Sequence, residues 1–239
     1  MEAVRLNLQD VRYSGRTVLR DVDISLMDNQ RLGVIGPSGV GKSTILNVIS
    51  GFHSEFSGQC EVFGMPVSSK TLPEIRQNVA FLFQQSPLIG DLTVYENLKL
   101  SLTYKKISSR KRHDKIMEVL EGVDLAHAFN FYPDELSGGM RRRVVIAIAL
   151  LKEPKLLLCD EPFTGQDPLT KLHLLNLLDT LQKQYQFAMI LVSHDVKETL
   201  VLCPNTAVIM NGGVSAMGAK QVLLSCDDQR VVEFIEQGL

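Results

Sequence analysis

The chain has 239 residues and a mass of 26.6 kDa, the size of one domain, or of one domain carrying an inserted lobe. Apolar residues at 45% and charged residues at 22% exclude a disordered or collagen-like polymer, and the length supports a core that needs no disulfide or metal staple. With 25 basic against 27 acidic residues the net charge is −2, which excludes bulk attraction to nucleic acid or anionic lipid as the organising force.

Cys60, Cys159, Cys203 and Cys226 stand in mostly apolar surroundings without C-x-x-C spacing. They point to neither a zinc site nor a disulfide framework and fit a reducing cytoplasm. The first residues alternate charged and apolar side chains, unlike a signal peptide. The longest apolar run, residues 144–151, is less than half of a membrane span. The expectation is a soluble chain whose role at a membrane comes through a partner.

In chain order, residues 4–8 and 18–24 alternate at period two around a turn at 14–16, which predicts a hairpin. A short strand over 31–35 runs into a glycine-rich loop, and a helix over 42–50 stops at Gly51. Residues 79–83 read as a buried strand, and 85–154 as an almost wholly helical insertion. Continuous apolar runs at 156–159 and 189–192 suit strands covered on both faces, with an amphipathic helix over 169–184 between them. A hairpin over 207–216 and two short helices close the chain.

Three motifs carry chemistry. Gly36, Pro37, Ser38, Gly39, Val40, Gly41, Lys42 and Ser43 fit the phosphate-binding loop G-x-x-x-x-G-K-[ST]. Backbone N–H groups and a helix N-terminus would converge there on phosphate oxygens, Lys42 would bridge the β- and γ-phosphates, and Ser43 would ligate Mg²⁺. The strand at 156–159 ends in Asp160 and Glu161, at the edge where parallel sheets bind ligands. Asp160 would hold Mg²⁺ through water and Glu161 would act as general base. The third, Leu136, Ser137, Gly138, Gly139 and Met140, precedes a long helix and reads either as a second anion site or as a helix cap.

The phosphate loop, Leu-Ser-Gly-Gly, the strand ending in Asp160-Glu161-Pro162, and Val192-Ser193-His194-Asp195, in that order, resemble the nucleotide-binding subunit of ABC transporters. The resemblance implies an α/β P-loop fold of the ABC ATPase type: a mainly parallel core sheet, an N-terminal antiparallel β-subdomain and an inserted helical subdomain. The RecA-like core would span about 1–84 and 155–226, the helical insertion 85–154, and a short C-terminal helix 227–239. It implies ATP hydrolysis with Mg²⁺ in a homodimer that sandwiches two nucleotides head to tail, so that Ser137, Gly138 and Gly139 serve the γ-phosphate held by a partner copy. Thr44 would join the phosphate loop, Gln84 would sense Mg²⁺ and the attacking water, and His194 would contact the γ-phosphate. Asp167 would lie in the loop crossing the dimer interface, and Tyr13 would stack on adenine. The implied setting is the cytoplasmic face of a bacterial inner membrane, on integral-membrane permease subunits, with no nucleic acid partner.

Met140 and Ile148 stand where the family often has Gln and Arg, which marks a subfamily. Residues 136–143, 161–168 and 228–235 resemble the ATPase of Mla-type, MCE-associated lipid transporters. That match implies phospholipid trafficking with a periplasmic lipid-binding MCE-type protein and a small cytoplasmic accessory protein. The alternatives are the ATPase of a peptide or other small-molecule transporter and a signalling ATPase acting on cell-wall enzymes. A basic run, with Lys105, Lys106, Arg110, Lys111, Arg112 and Lys115, reads as a solvated helix start or as a partner-facing patch.

Overall fold

The computed structural model describes residues 1–85 and 87–239. Two long strands, β1 (Glu2–Tyr13) and β2 (Arg16–Met27), form the first hairpin. Ser14 and Gly15, at φ 49° and 78°, make the two-residue turn whose left-handed backbone matches the twist of the strands. β3 (Arg31–Ile35) leads to α1 (Lys42–Ile49), and β4 (Phe56–Val62), β5 (Met65–Pro66) and α2 (Leu72–Asn78) follow. β6 (Val79–Leu82) then opens the helical stretch, which contains α3 (Val94–Ser101), α4 (Ser109–Gly122) and α5 (Gly138–Leu150), with short 3-10 turns at Ala126–Ala128 and Pro133–Glu135. The remaining elements are β7 (Leu156–Asp160), α6 (Pro168–Tyr185), β8 (Ala188–Val192), α7 (Val196–Leu202), β9 (Asn205–Met210), β10 (Gly213–Gly218), α8 (Lys220–Leu224) and α9 (Gln229–Gln237).

The strands make two sheets. One is antiparallel in the order β2-β1-β4-β5; the other runs β10-β9-β3-β8-β7-β6, parallel except for the edge strand β10. The core sheet explains the continuous apolar runs. Leu156 and Leu158 of β7, with Ala188, Ile190 and Val192 of β8, face a core shared with α1 and the antiparallel sheet. Leu157, Cys159, Met189 and Leu191 point the other way, into a core shared with α5 and α6. A smaller cluster around Val196, Leu223, Val231 and Ile235 seats the C-terminal helices.

Helix starts follow local capping chemistry. Thr93 Oγ1 accepts from Glu96 N at 3.2 Å while Glu96 Oε2 accepts from Thr93 N at 2.9 Å, a reciprocal cap for α3. Ser108, Ser137 and Asp195 cap α4, α5 and α7, each side chain accepting from a first-turn N–H. In the basic run, Lys105 pairs with Glu153 at 3.0 Å and Lys115 pairs with the same carboxylate. Part of the run therefore ties α4 to the end of α5 instead of facing solvent.

Candidate nucleotide site

The site forms where parallel strands β3, β8, β7 and β6 end side by side, the edge on which open α/β sheets bind ligands. Register holds those ends level: Ser193 N donates to Val34 O at 3.2 Å, and Glu161 N donates to Val192 O at 2.9 Å. Between β3 and α1 the chain turns through Gly36 at φ 153°, where a Cβ would fall 2.2 Å from the Ile209 carbonyl oxygen. Only glycine fits there. Gly41, at φ 105°, precedes α1, which has no side-chain cap and no acid in its first turn. The first N–H groups of α1 are thus left to an external anion.

Lys42 is buried, and its Nζ donates to the carbonyl oxygens of Gly36 and Pro37, both at 2.9 Å. Burial lowers its pKa from the ordinary lysine value, with the Glu161 and Asp160 carboxylates opposing that shift. Ser43 Oγ donates to Asp160 Oδ1 at 2.9 Å. Burial raises the Asp160 pKa above the ordinary carboxylate value; the Ser43 bond and Lys42 oppose the shift, and Glu161 adds to it.

Glu161 adopts φ 48°, a left-handed conformation that costs a non-glycine residue energy and that clusters at functional sites. Its Oε2 accepts from Thr164 Oγ1 at 3.1 Å and lies 2.8 Å from His194 Nδ1. A carboxylate only accepts, so the imidazole donates from Nδ1 and presents Nε2 outward. A cavity of about 410 Å³ is lined by Ser38, Gly39, Gly41, Lys42, Ser43, Thr44, Gln84, Glu161 and His194, with Val18 as an apolar wall.

These residues fit a nucleoside triphosphate with Mg²⁺. A buried ammonium held only by loop carbonyls, uncapped helix N–H groups and a destabilised Asp160 carboxylate all gain from a polyanion with its cation. Among the described residues no three His, Cys, Asp or Glu side chains cluster as a complete metal site.

Other expected site residues lie apart from this cavity. Tyr13, exposed, stacks on His53 with ring centroids 3.9 Å apart, and its hydroxyl oxygen is 3.5 Å from Asn47 Nδ2. Ser137 and Gly139 line a different cleft of about 480 Å³ with Arg143, Thr170 and His173. Gly138 lines a third, also about 480 Å³, with Gln84, Arg142 and Gln166. Asp167 caps α6, its Oδ1 accepting from Leu169 N and Thr170 N at 3.1 and 3.0 Å. Thr164 and Val18 were not singled out from the sequence. Thr164 falls within the stretch 161–168, but nothing in its spacing announces a bond to Glu161, and Val18 lies in no motif.

Fold and site together define a P-loop nucleoside triphosphatase. The family model described as "ABC transporter" matches residues 19–164. The aliphatic sulfonates import ATP-binding protein SsuB of Bacillus subtilis is 40% identical over 211 residues, which is 87% of this chain and 80% of that protein. The methionine import ATP-binding protein MetN of Clostridium acetobutylicum is 35% identical, over 86% of this chain and 65% of its own length. The sulfate/thiosulfate import ATP-binding protein CysA of Photorhabdus laumondii is 33% identical, over 94% and 63%. Among solved structures, the ATP-binding cassette MJ0796, a dimer in a post-hydrolysis state bound to ADP and Pi, aligns with TM-score 0.78 at 28% identity over 90% of this chain and 98% of its own. The cbiO1 protein of Clostridium perfringens, part of the ABC transporter complex cbiONQ, aligns with TM-score 0.86 over 98% and 99%, at 24% identity. The chain belongs to the ABC transporter family and is an ATPase of that family, whose ATP hydrolysis is coupled to transport. None of these relatives is a lipid transporter by name; three are import ATPases for small solutes.

Proposed function

We propose that this chain is the ATP-hydrolysing subunit that powers import of a small solute through membrane partners. The observation that carries the hydrolytic part of the reading is the meeting of Ser43 with Asp160, and of Glu161 with His194, around one cavity of about 410 Å³. Bound Mg²⁺ would supply charge neutralisation at the phosphate oxygens, held by Ser43 and, through water, by Asp160. The backbone of residues 36–41, the start of α1 with Thr44, and Lys42 would seat the triphosphate. Glu161 would take the proton of the attacking water, with His194 and Thr164 fixing its Oε2 so that its other oxygen faces the nucleophile. His194 borders the same cavity, where it would contact the γ-phosphate. Gln84 borders the same cavity and suits a role beside the metal and water. Tyr13 keeps one ring face away from His53, which suits adenine stacking.

A second copy completes this scheme. Ser137, Gly138 and Gly139 open a helix outside the cavity of their own chain, as expected if they serve a nucleotide held by a partner in a head-to-tail homodimer. Asp167, at the start of α6 beside that helix end, would lie along the crossing loop. Among the described residues no helix is long and apolar enough to cross a membrane, which fits peripheral attachment to permease subunits on the cytoplasmic face. The core at 1–84 and 155–226, the helical lobe at 85–154 and the end at 227–239 are the parts of this engine we assign.

The small-solute reading rests on the named relatives, which import sulfonates, methionine and sulfate or thiosulfate. Phospholipid trafficking is a second reading, supported by the short stretches 136–143, 161–168 and 228–235. Purifying the complex in mild detergent and identifying its subunits separates the two. A permease with a soluble solute-binding protein supports import. An MCE-type lipid-binding protein would move the assignment to lipid, and a bound cell-wall hydrolase would move it to signalling.

A further inference from the structure

Arg142 lies in the second turn of α5 and is only 8% exposed. Its Nη1 donates to the Phe83 carbonyl at 2.8 Å and reaches the Gln84 carbonyl at 3.5 Å. Nε and Nη2 are buried too and meet no acceptor among the described residues. Burial acts against its charge. A hidden cation with unmet donors costs stability, and an apolar side chain of similar length would fill the space without that cost. A guanidinium in this place therefore calls for a role other than packing.

What Arg142 grips is the backbone leaving β6, the two residues that deliver Gln84 to the nucleotide cavity. The helix it grips from begins at Gly138, which shares a cleft with Gln84, Arg142 and Gln166. One side chain thus joins the segment beside the chain's own nucleotide to the helix end turned toward another.

We propose that Arg142 is a positioning residue that clamps Phe83 and Gln84 to α5, so that the place of Gln84 beside its metal and water follows the position of Ser137, Gly138 and Gly139. The proposal rests on the roles assigned above to Gln84 and to those three residues. It makes engagement of one nucleotide by the helix end felt at the hydrolytic centre of the other.

The test compares Arg142→Met, Arg142→Lys and Gln84→Ala in the assembled complex, measuring ATPase rate against ATP and against Mg²⁺, together with thermal midpoints. Arg142→Met is expected to unfold at the same or a higher temperature while kcat falls roughly tenfold or more and KM for ATP stays within about twofold. The Mg²⁺ concentration for half-maximal rate should rise. Arg142→Lys should recover part of kcat, because one ammonium can still donate to the Phe83 carbonyl. Gln84→Ala should shift the Mg²⁺ dependence in the same direction, and the double variant should add little to it. Unchanged rate and Mg²⁺ dependence in Arg142→Met, or parallel loss of stability and activity in Arg142→Met and Arg142→Lys, would overturn the positioning role. If Gln84→Ala itself leaves rate and Mg²⁺ dependence intact, the assignment of Gln84 fails, and the role of Arg142 with it.

Discussion

Ser43 and Asp160, 117 positions apart in the chain, meet at 2.9 Å and bind the phosphate loop to the carboxyl end of β7. That bond joins two motifs recognisable separately in the sequence into one pocket. It also leaves Asp160 in a setting where burial outweighs the help from Ser43, so its pKa lies above the ordinary carboxylate value. A folded-state pKa above the unfolded one means that, between the two, the folded chain holds the proton more firmly. Stability then falls as pH rises through that window.

Asp160→Asn removes this titration while keeping a partner for Ser43. Thermal midpoints of the nucleotide-free protein, followed from about pH 4 to about pH 8, should show the variant more stable at the neutral end. The difference should be a few degrees, because the half-buried carboxylate is partly screened, and should narrow toward acid. Adding ATP with Mg²⁺ should stabilise the native chain more than the variant. A variant less stable at every pH would contradict the account.

The glycines of the phosphate loop differ in what they tolerate. At Gly36 a Cβ would collide with the Ile209 backbone, whereas at Gly39, φ 77°, nothing lies within 4 Å of it. Gly39→Ala should cost about 1–2 kcal/mol from the left-handed backbone. Gly36→Ala should cost about 3 kcal/mol or more, because β9 must move as well. Denaturant unfolding of both variants checks the order, and equal losses would contradict the loop geometry.

Burial pushes the thiols of Cys60 and Cys203 up to about 12 and that of Cys159 higher still. At neutral pH these three are unreactive thiols sealed in the core. Cys226, half-buried near the C-terminus, differs from them. A thiol reagent should modify one cysteine in the native chain and four after denaturation. Rapid reaction of a second would show that a core cluster opens.

Much of this was legible in the sequence, for a physical reason. Residues 156–159 and 189–192 are apolar without alternation because both sheet faces are covered, and that pattern announces a parallel core. The phosphate loop announced itself through glycines that sterics demand. Residues 51–78 did not yield to the same reading: β4 has Gly58 where an apolar side chain would stand and fully buries only Cys60 and Val62, which leaves a weak strand signal. Neither the stacking of His53 on Tyr13 nor the grip of Arg142 on Phe83 was visible, since each depends on tertiary placement of residues that no spacing links. Asp167 shows the converse case: its place in a motif was readable, but its work as the cap of α6 appeared only with the fold.

The central claim is that Glu161, fixed by His194 and Thr164, is the general base of a site completed by a second copy of the chain. Its most direct test is Glu161→Gln, with ATP turnover and sedimentation measured on the same sample. Turnover should fall by roughly 10²–10⁴-fold while ATP still binds, and the chain should sediment as a dimer with ATP and as a monomer without it. Full turnover would remove Glu161 from the chemistry, and a chain that binds ATP yet stays monomeric would contradict the two-copy site.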